Sequence, residues 1–216
     1  MKNRIIVLLI ALLALIALNA VAEEVDAVAA QPDEAWLLML VNRDHPIPED
    51  YVVGDLVELR GGQKVDRRIY PDLQEMFDAA RAEGVYPIVG SGFRTREKQQ
   101  SLMDNKIASY REQGYDSTEA VELAEAWVAV PGTSEHEVGI CADINASSGS
   151  TSDEVYQWLA ENAWKYGFIL RYPEDKTDVT KTIYEPWHYR YVGREAAAEI
   201  QASGLCLEEY LAQREN

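Results

Sequence analysis

The chain has three histidines, and two of them stand in segments whose residue types suit a metal ion. In Ser134-Glu135-His136-Glu137-Val138-Gly139-Ile140-Cys141-Ala142-Asp143, an imidazole and a carboxylate are separated by a glycine that permits a sharp turn. In Glu185-Pro186-Trp187-His188, a second imidazole follows a carboxylate by three residues. His136, Asp143 and His188 would supply two nitrogens and one oxygen and leave a position for water. That is the pattern of a catalytic zinc site rather than a closed structural one. Glu185 stands where a water-activating carboxylate is needed. A histidine is more often an ordinary hydrogen-bonded residue than a ligand. Here, however, Asp143 sits inside the mostly apolar run 140–144, and a buried carboxylate is costly unless paired or metal-bound. His45 lies in a proline-punctuated turn, 42–48, and is expected to have no metal role.

Three segments occur in order: Ser91-Gly92-Phe93-Arg94, Ser134-x-His136-x-x-Gly139-x-x-x-Asp143, and Glu185-Pro186-Trp187-His188-Tyr189-Arg190-Tyr191-Val192-Gly193. Together they resemble the VanY-like D-alanyl-D-alanine carboxypeptidases, zinc peptidases that trim bacterial peptidoglycan stems, over about residues 36–210. The resemblance implies Zn2+ as cofactor, with His136, Asp143 and His188 as its ligands. It implies that Glu185 is the general base that later passes its proton to the leaving amine. Arg94 would polarise the scissile carbonyl, and Ser134 and Gln99 would line the substrate pocket. Arg94 follows the apolar run 85–89 after Ser91-Gly92, a loop position suited to facing a site. An L,D-carboxypeptidase acting on tetrapeptide stems shares these motifs. A zinc-containing wall-binding or signalling domain without hydrolysis is the rival of another class, and Glu185 argues against it. The chain departs from the family at Glu137-Val138, often Gln-Thr, at Ile140-Cys141, often Leu-Ala, and at Thr180-Lys181, often Thr-Gly. Glu137 would add negative potential near the metal or face water, and Lys181 would alter the loop above the site.

Lys2 and Arg4 precede an apolar run over 5–18, followed by Ala20-Val21-Ala22 and two glutamates. A basic start, a short apolar stretch and a small-x-small site describe a secretory signal peptide over 1–22. The run is short against the roughly 20 residues of a membrane span, so cleavage is favoured over an uncleaved anchor. Export to the cell envelope or beyond follows, with membrane contact only through this segment. Residues 23–35 read as an acidic, alanine-rich linker, and 36–216 as one domain. The net charge of −17 excludes an ordinary nucleic-acid binder, which needs a basic surface. Peptidoglycan stem peptides would be held by local pocket contacts. Cys141 and Cys206 admit a disulfide in an oxidising compartment, two buried thiols, or, for Cys141, metal ligation from the face that carries Asp143.

Helices are expected over 72–81, 96–113, 116–130, 152–166 and about 194–202, with apolar periodicity marking the first and the fourth. Asp116 with Glu119 forms a capping pair, Pro131 terminates the third helix, and Ser152 caps the fourth. Strands are expected over 85–89, 140–144, 168–171 and 188–192, with 172–182 a charged loop. The fold class is α+β: a single domain with a small antiparallel sheet carrying the zinc site, packed against several helices.

Overall fold

Residues 34–214 are described by a computed structural model. The expected signal segment 1–22 and most of the 23–35 linker lie outside the described residues. Glu34–Trp36 form one 3-10 turn, and the described residues from Leu37 onward form one compact unit. In chain order the elements are a hairpin of β1 (Leu56–Glu58) and β2 (Lys64–Asp66), helix α1 (Tyr70–Ala82), strand β3 (Pro87–Ser91), helices α2 (Arg96–Glu112) and α3 (Ser117–Glu125), strand β4 (Cys141–Ala146), helix α4 (Ser152–Asn162), strand β5 (Phe168–Leu170), the single turn α5 (Thr177–Thr180), strand β6 (His188–Tyr191), and helices α6 (Arg194–Ser203) and α7 (Leu207–Arg214).

Four of the strands make one antiparallel sheet in the order β3-β4-β6-β5. Its register decides what faces what. Cys141 is paired with Arg190 and Asp143 with His188 across β4 and β6. Because side chains alternate along a strand, these four share one face, while Ala142, Ile144, Tyr189 and Tyr191 fill the other. A register shift between Val89 and Ser91 at the sheet edge brings Ser91 opposite Asp143. Ile169, Val192, Ala197, Ile200, Leu207 and Tyr210 form an apolar cluster that seats α6 and α7.

The helix ends follow from capping. Thr95 accepts from Lys98 N at the start of α2, and the expected Asp116/Glu119 capping box opens α3. Three helix boundaries differ from expectation, one of them the end of α4, which stops at Asn162 and passes into a 3-10 turn, Ala163–Tyr166. Thr151, not Ser152, caps α4: its hydroxyl accepts from Glu154 N while the Glu154 carboxylate accepts from Thr151 N. Helix α3 ends at Glu125, not Val130, so Pro131 does not set its end. Beyond Glu125 the chain is held by tertiary bonds instead: Gln99 Nε2 donates to Ala129 O at 2.8 Å, and the Glu137 carboxylate accepts from Gly132 N at 2.8 Å. The hairpin β1-β2 and helix α7 have weak sequence signals. Each hairpin strand has three residues, too few for a period, and α7 depends on the core cluster beneath it.

The 172–182 segment holds a 3-10 turn, Glu174–Lys176, and α5. Lys181 closes α5 with φ of 58°, the one non-glycine residue with positive φ among the described residues. A side chain in this left-handed region clashes with its own backbone, which is why helices so often end on glycine. Replacing Lys181 with Gly is expected to stabilise the chain by about 1 kcal/mol, the relieved clash outweighing the added freedom of the unfolded chain. Urea unfolding of the two proteins measures this, and a destabilised variant would refute the strain.

Candidate metal and catalytic centre

The site is assembled where the turn before β4 meets β6. His136 lies in the 3-10 turn Glu135–Glu137, and Gly139, with φ of 79°, redirects the backbone into β4 as the sequence implied. Arg94 N donates to His136 O at 3.0 Å, which ties the loop after β3 to that turn. Gly92 is required in this loop: a Cβ there would fall 2.1 Å from Lys64 O. The close approach leaves Gly92 O 2.7 Å from His136 Nδ1. A carbonyl can only accept, so Nδ1 carries a proton and Nε2 is the nitrogen turned inward.

His188 is held the other way round. Its Nε2 is 3.3 Å from Glu135 Oε2, and its Nδ1 points inward, 3.0 Å from Asp143 Oδ1. His136 Nε2 lies 3.3 Å from the same oxygen. The two rings meet edge to face with centroids 4.9 Å apart. Two inward nitrogens and one carboxylate oxygen therefore converge, and each imidazole is fixed from behind by an acceptor. Such anchoring sets the tautomer and the ring plane of metal-binding histidines. Cys141 Sγ also stands within 4.8 Å of a nitrogen of His136 and of His188.

The electrostatics suit a cation. Burial works against charge on His136, but Asp143 and Cys141 raise its pKa to about 9. Burial likewise opposes charge on His188, yet Cys141 and Asp143 hold its pKa well above the usual imidazole value. Asp143 is largely buried, and the neighbouring histidines keep it far below the ordinary carboxylate range. Burial raises the Cys141 thiol, and the same histidines pull it down to about 7. Protons on the imidazoles thus balance the anions where a metal ion would otherwise do so.

Glu185 and His188 bracket one turn, with His188 N donating to Glu185 O at 3.1 Å. The Glu185 carboxylate is buried, and its Oε2 lies 3.8 Å from His188 Nδ1. Burial raises its pKa, partly offset by His188. Arg94 reaches the centre as expected: Nη2 donates to Asp143 Oδ2 at 2.7 Å, Nε to Ser91 Oγ at 2.8 Å and Nη1 to Gln99 Oε1 at 3.4 Å. Both Gln99 amide groups are thereby engaged, so this buried side chain braces Arg94 and the 126–130 segment. Ser134 is buried beside the centre and lines the cleft. The cleft has a volume of about 410 Å³ and runs from these residues to Leu102, Lys106 and Trp127. His45 stands apart in an exposed turn against Asn42. Cys141 and Cys206 are buried free thiols. Glu137 does not face water: it is buried, clasping Gly132 N and Arg96.

This architecture has solved counterparts. One is VanYB in complex with D-alanine-D-alanine: 60% identical, TM-score 0.80, covering 82% of this chain and 98% of that one. The second is a variant of the D,D-pentapeptidase VanY from a VanB-type vancomycin resistance cassette, in complex with Zn(II); it is 60% identical with TM-score 0.80, covering 82% of this chain and 99% of that one. A D-alanyl-D-alanine carboxypeptidase of Enterococcus faecalis is 59% identical over 180 residues, 83% of this chain and 67% of that protein. The family described as "VanY: D-alanyl-D-alanine carboxypeptidase" matches residues 62–194. The chain belongs to the VanY family. Its α+β fold, with a small antiparallel sheet, is the VanY fold.

Glu135 is the functional residue that sequence reasoning passed over. Beside its contact with His188, its Oε1 accepts from Arg171 Nε at 2.7 Å and Arg190 Nη1 at 2.8 Å. Both guanidinium groups are fully buried. Arg171 continues to Glu208 of α7 at 2.6 and 2.9 Å, and Arg190 Nη2 donates to Leu37 O and Met39 O. Glu135 pays the desolvation of burial, yet Arg171 and Arg190 hold its pKa far below the ordinary 4.5. The available signal was Glu135 beside a ligand-type histidine, with two arginines in otherwise apolar strand segments.

A carboxylate whose pKa is depressed on folding contributes stability above its unfolded value, and that contribution is lost as pH falls through the folded value. The wild-type chain should therefore weaken progressively below about pH 4.5. Glu135→Gln leaves buried guanidinium charge uncompensated and is expected to cost about 3 kcal/mol at neutral pH. Urea unfolding against pH tests both. A variant as stable as wild type at pH 7 would show that the network does not hold the fold.

Proposed function

We propose that this chain is an exported, zinc-dependent D,D-carboxypeptidase that releases the terminal D-alanine of peptidoglycan stem peptides. The observation that carries it is the convergence of His136 Nε2, His188 Nδ1 and Asp143 Oδ1 within 3.0 to 3.3 Å contacts, both rings anchored from behind. This donor set fits zinc, and His136, Asp143 and His188 would hold it. Bound there, zinc supplies a Lewis acid that polarises a carbonyl and lowers the pKa of water to roughly 7.

The chain's own residues supply the rest. Glu185, with its pKa raised by burial, accepts the proton of the attacking water and delivers it to the departing amine as the amide C–N bond breaks. Arg94, braced by Ser91 and Gln99, offers guanidinium N–H groups to the carbonyl oxygen as charge develops on it. Ser134 lines the wall where the substrate lies. The basic, apolar and small-residue pattern of 1–22 supports export. The acidic charge of −17 favours recognition through these local contacts rather than long-range attraction to anionic wall polymers.

Glu185→Gln is expected to lower D-alanine release at least about a hundredfold while zinc content stays at that of wild type. Matched pentapeptide and tetrapeptide stems, with and without chelator, give the specificity. Chelator-sensitive release from the pentapeptide alone supports the proposal, and release from the tetrapeptide alone would move the activity to the L,D class. Full activity in the Gln variant would remove Glu185 from the mechanism.

A further inference from the structure

Cys141 opens β4, fully buried, two residues before Asp143 on the same face of the strand. Its Sγ and one ring nitrogen each from His136 and His188 all lie within 4.8 Å of one another. A metal ion with sulfur at about 2.3 Å and nitrogens at about 2.0 Å needs these atoms no more than about 4.3 Å apart, which small side-chain rotations of Cys141 and the two imidazoles reach from here. Asp143, by contrast, has its outer oxygen committed to Arg94 at 2.7 Å. The centre therefore offers a hard oxygen donor and a soft sulfur donor beside the same two imidazoles. Ion softness decides between such donors: thiolate suits thiophilic ions, and carboxylate suits hard ones.

We propose that Cys141 is a metal ligand of this site, its sulfur joining His136 and His188 around thiophilic divalent ions such as Cd2+. The inference rests on the zinc reading above and adds a donor to it. On binding, the thiol proton leaves to solvent as the metal–sulfur bond forms, with no change of oxidation state. An ion held by the sulfur as well as by Asp143 has four protein ligands, so the position that hydrolysis needs open is closed.

The test is a Cd2+ titration of the full chain, followed by its thiolate-to-cadmium charge-transfer absorption in the ultraviolet, with bound metal counted independently. The chain has two cysteines, so Cys206→Ala leaves Cys141 as its single thiol. The expected result is one Cd2+ per chain with the band present in wild type and in Cys206→Ala. In Cys141→Ala the band should vanish, and Cd2+ affinity should fall at least about tenfold, with Zn2+ affinity falling less. The first two proteins decide the matter even if Cys141→Ala fails to fold. One Cd2+ per chain without the band in Cys206→Ala would overturn the inference and leave the His136, Asp143 and His188 zinc site standing. Failure to bind either Cd2+ or Zn2+ would overturn both.

Discussion

The carboxylate of Glu135 is the interaction on which the rest of this structure depends. Buried with no exposure to water, it accepts from Arg171, Arg190 and His188. A charge in such a place is tolerated only when its partners are close and correctly directed. Those partners come from β6, from the residue after β5 and, through Glu208, from α7. One side chain therefore ties the sheet, the C-terminal helix and the backbone near Leu37 to the turn that carries His136. The metal-type donors are precise because they are attached to this network.

The same economy of placement governs the imidazoles. His136 and His188 use opposite ring nitrogens toward the centre, and each is settled by what lies behind it: Gly92 O for one and Glu135 for the other. Gly92 can approach because it has no Cβ, whose place is taken by the hairpin carbonyl of Lys64. The β1-β2 hairpin, distant from the chemistry in sequence, thus bears on the tautomer of a proposed ligand. Asp143 lies between the two rings on β4, and Arg94 restrains its outer oxygen. Rigid strands place these groups with less freedom than loops would, which suits a centre that must keep ligand geometry through turnover.

Much of this was legible before folding was considered. Capping chemistry placed α3 at its start, the 3.6-residue period marked α1 and α4, and short apolar runs marked β3 and β4 of the main sheet. What was misread depended on contacts distant in sequence. The end of α3 yields to Gln99 and Glu137, neither of which belongs to that helix. Glu137 looked like a charge that could face water because its partners, Gly132 N and Arg96, come together only on folding. Glu135 was hidden for the same reason: nothing local distinguishes a carboxylate that will meet two buried arginines from one that faces water.

By itself the sequence determined the chemistry on offer: two imidazoles, a carboxylate inside an apolar run, a glutamate three residues before a histidine, and an arginine after a serine-glycine pair. Those are matters of residue type and local spacing, which the covalent chain carries directly. Only the tertiary structure decided which ring nitrogen faces the centre, what Gln99 braces, and that Cys141 stands beside the same imidazoles as Asp143. Each of those depends on register between β4 and β6 or on a contact across the fold. Neither exists until the nonlocal pairs have formed.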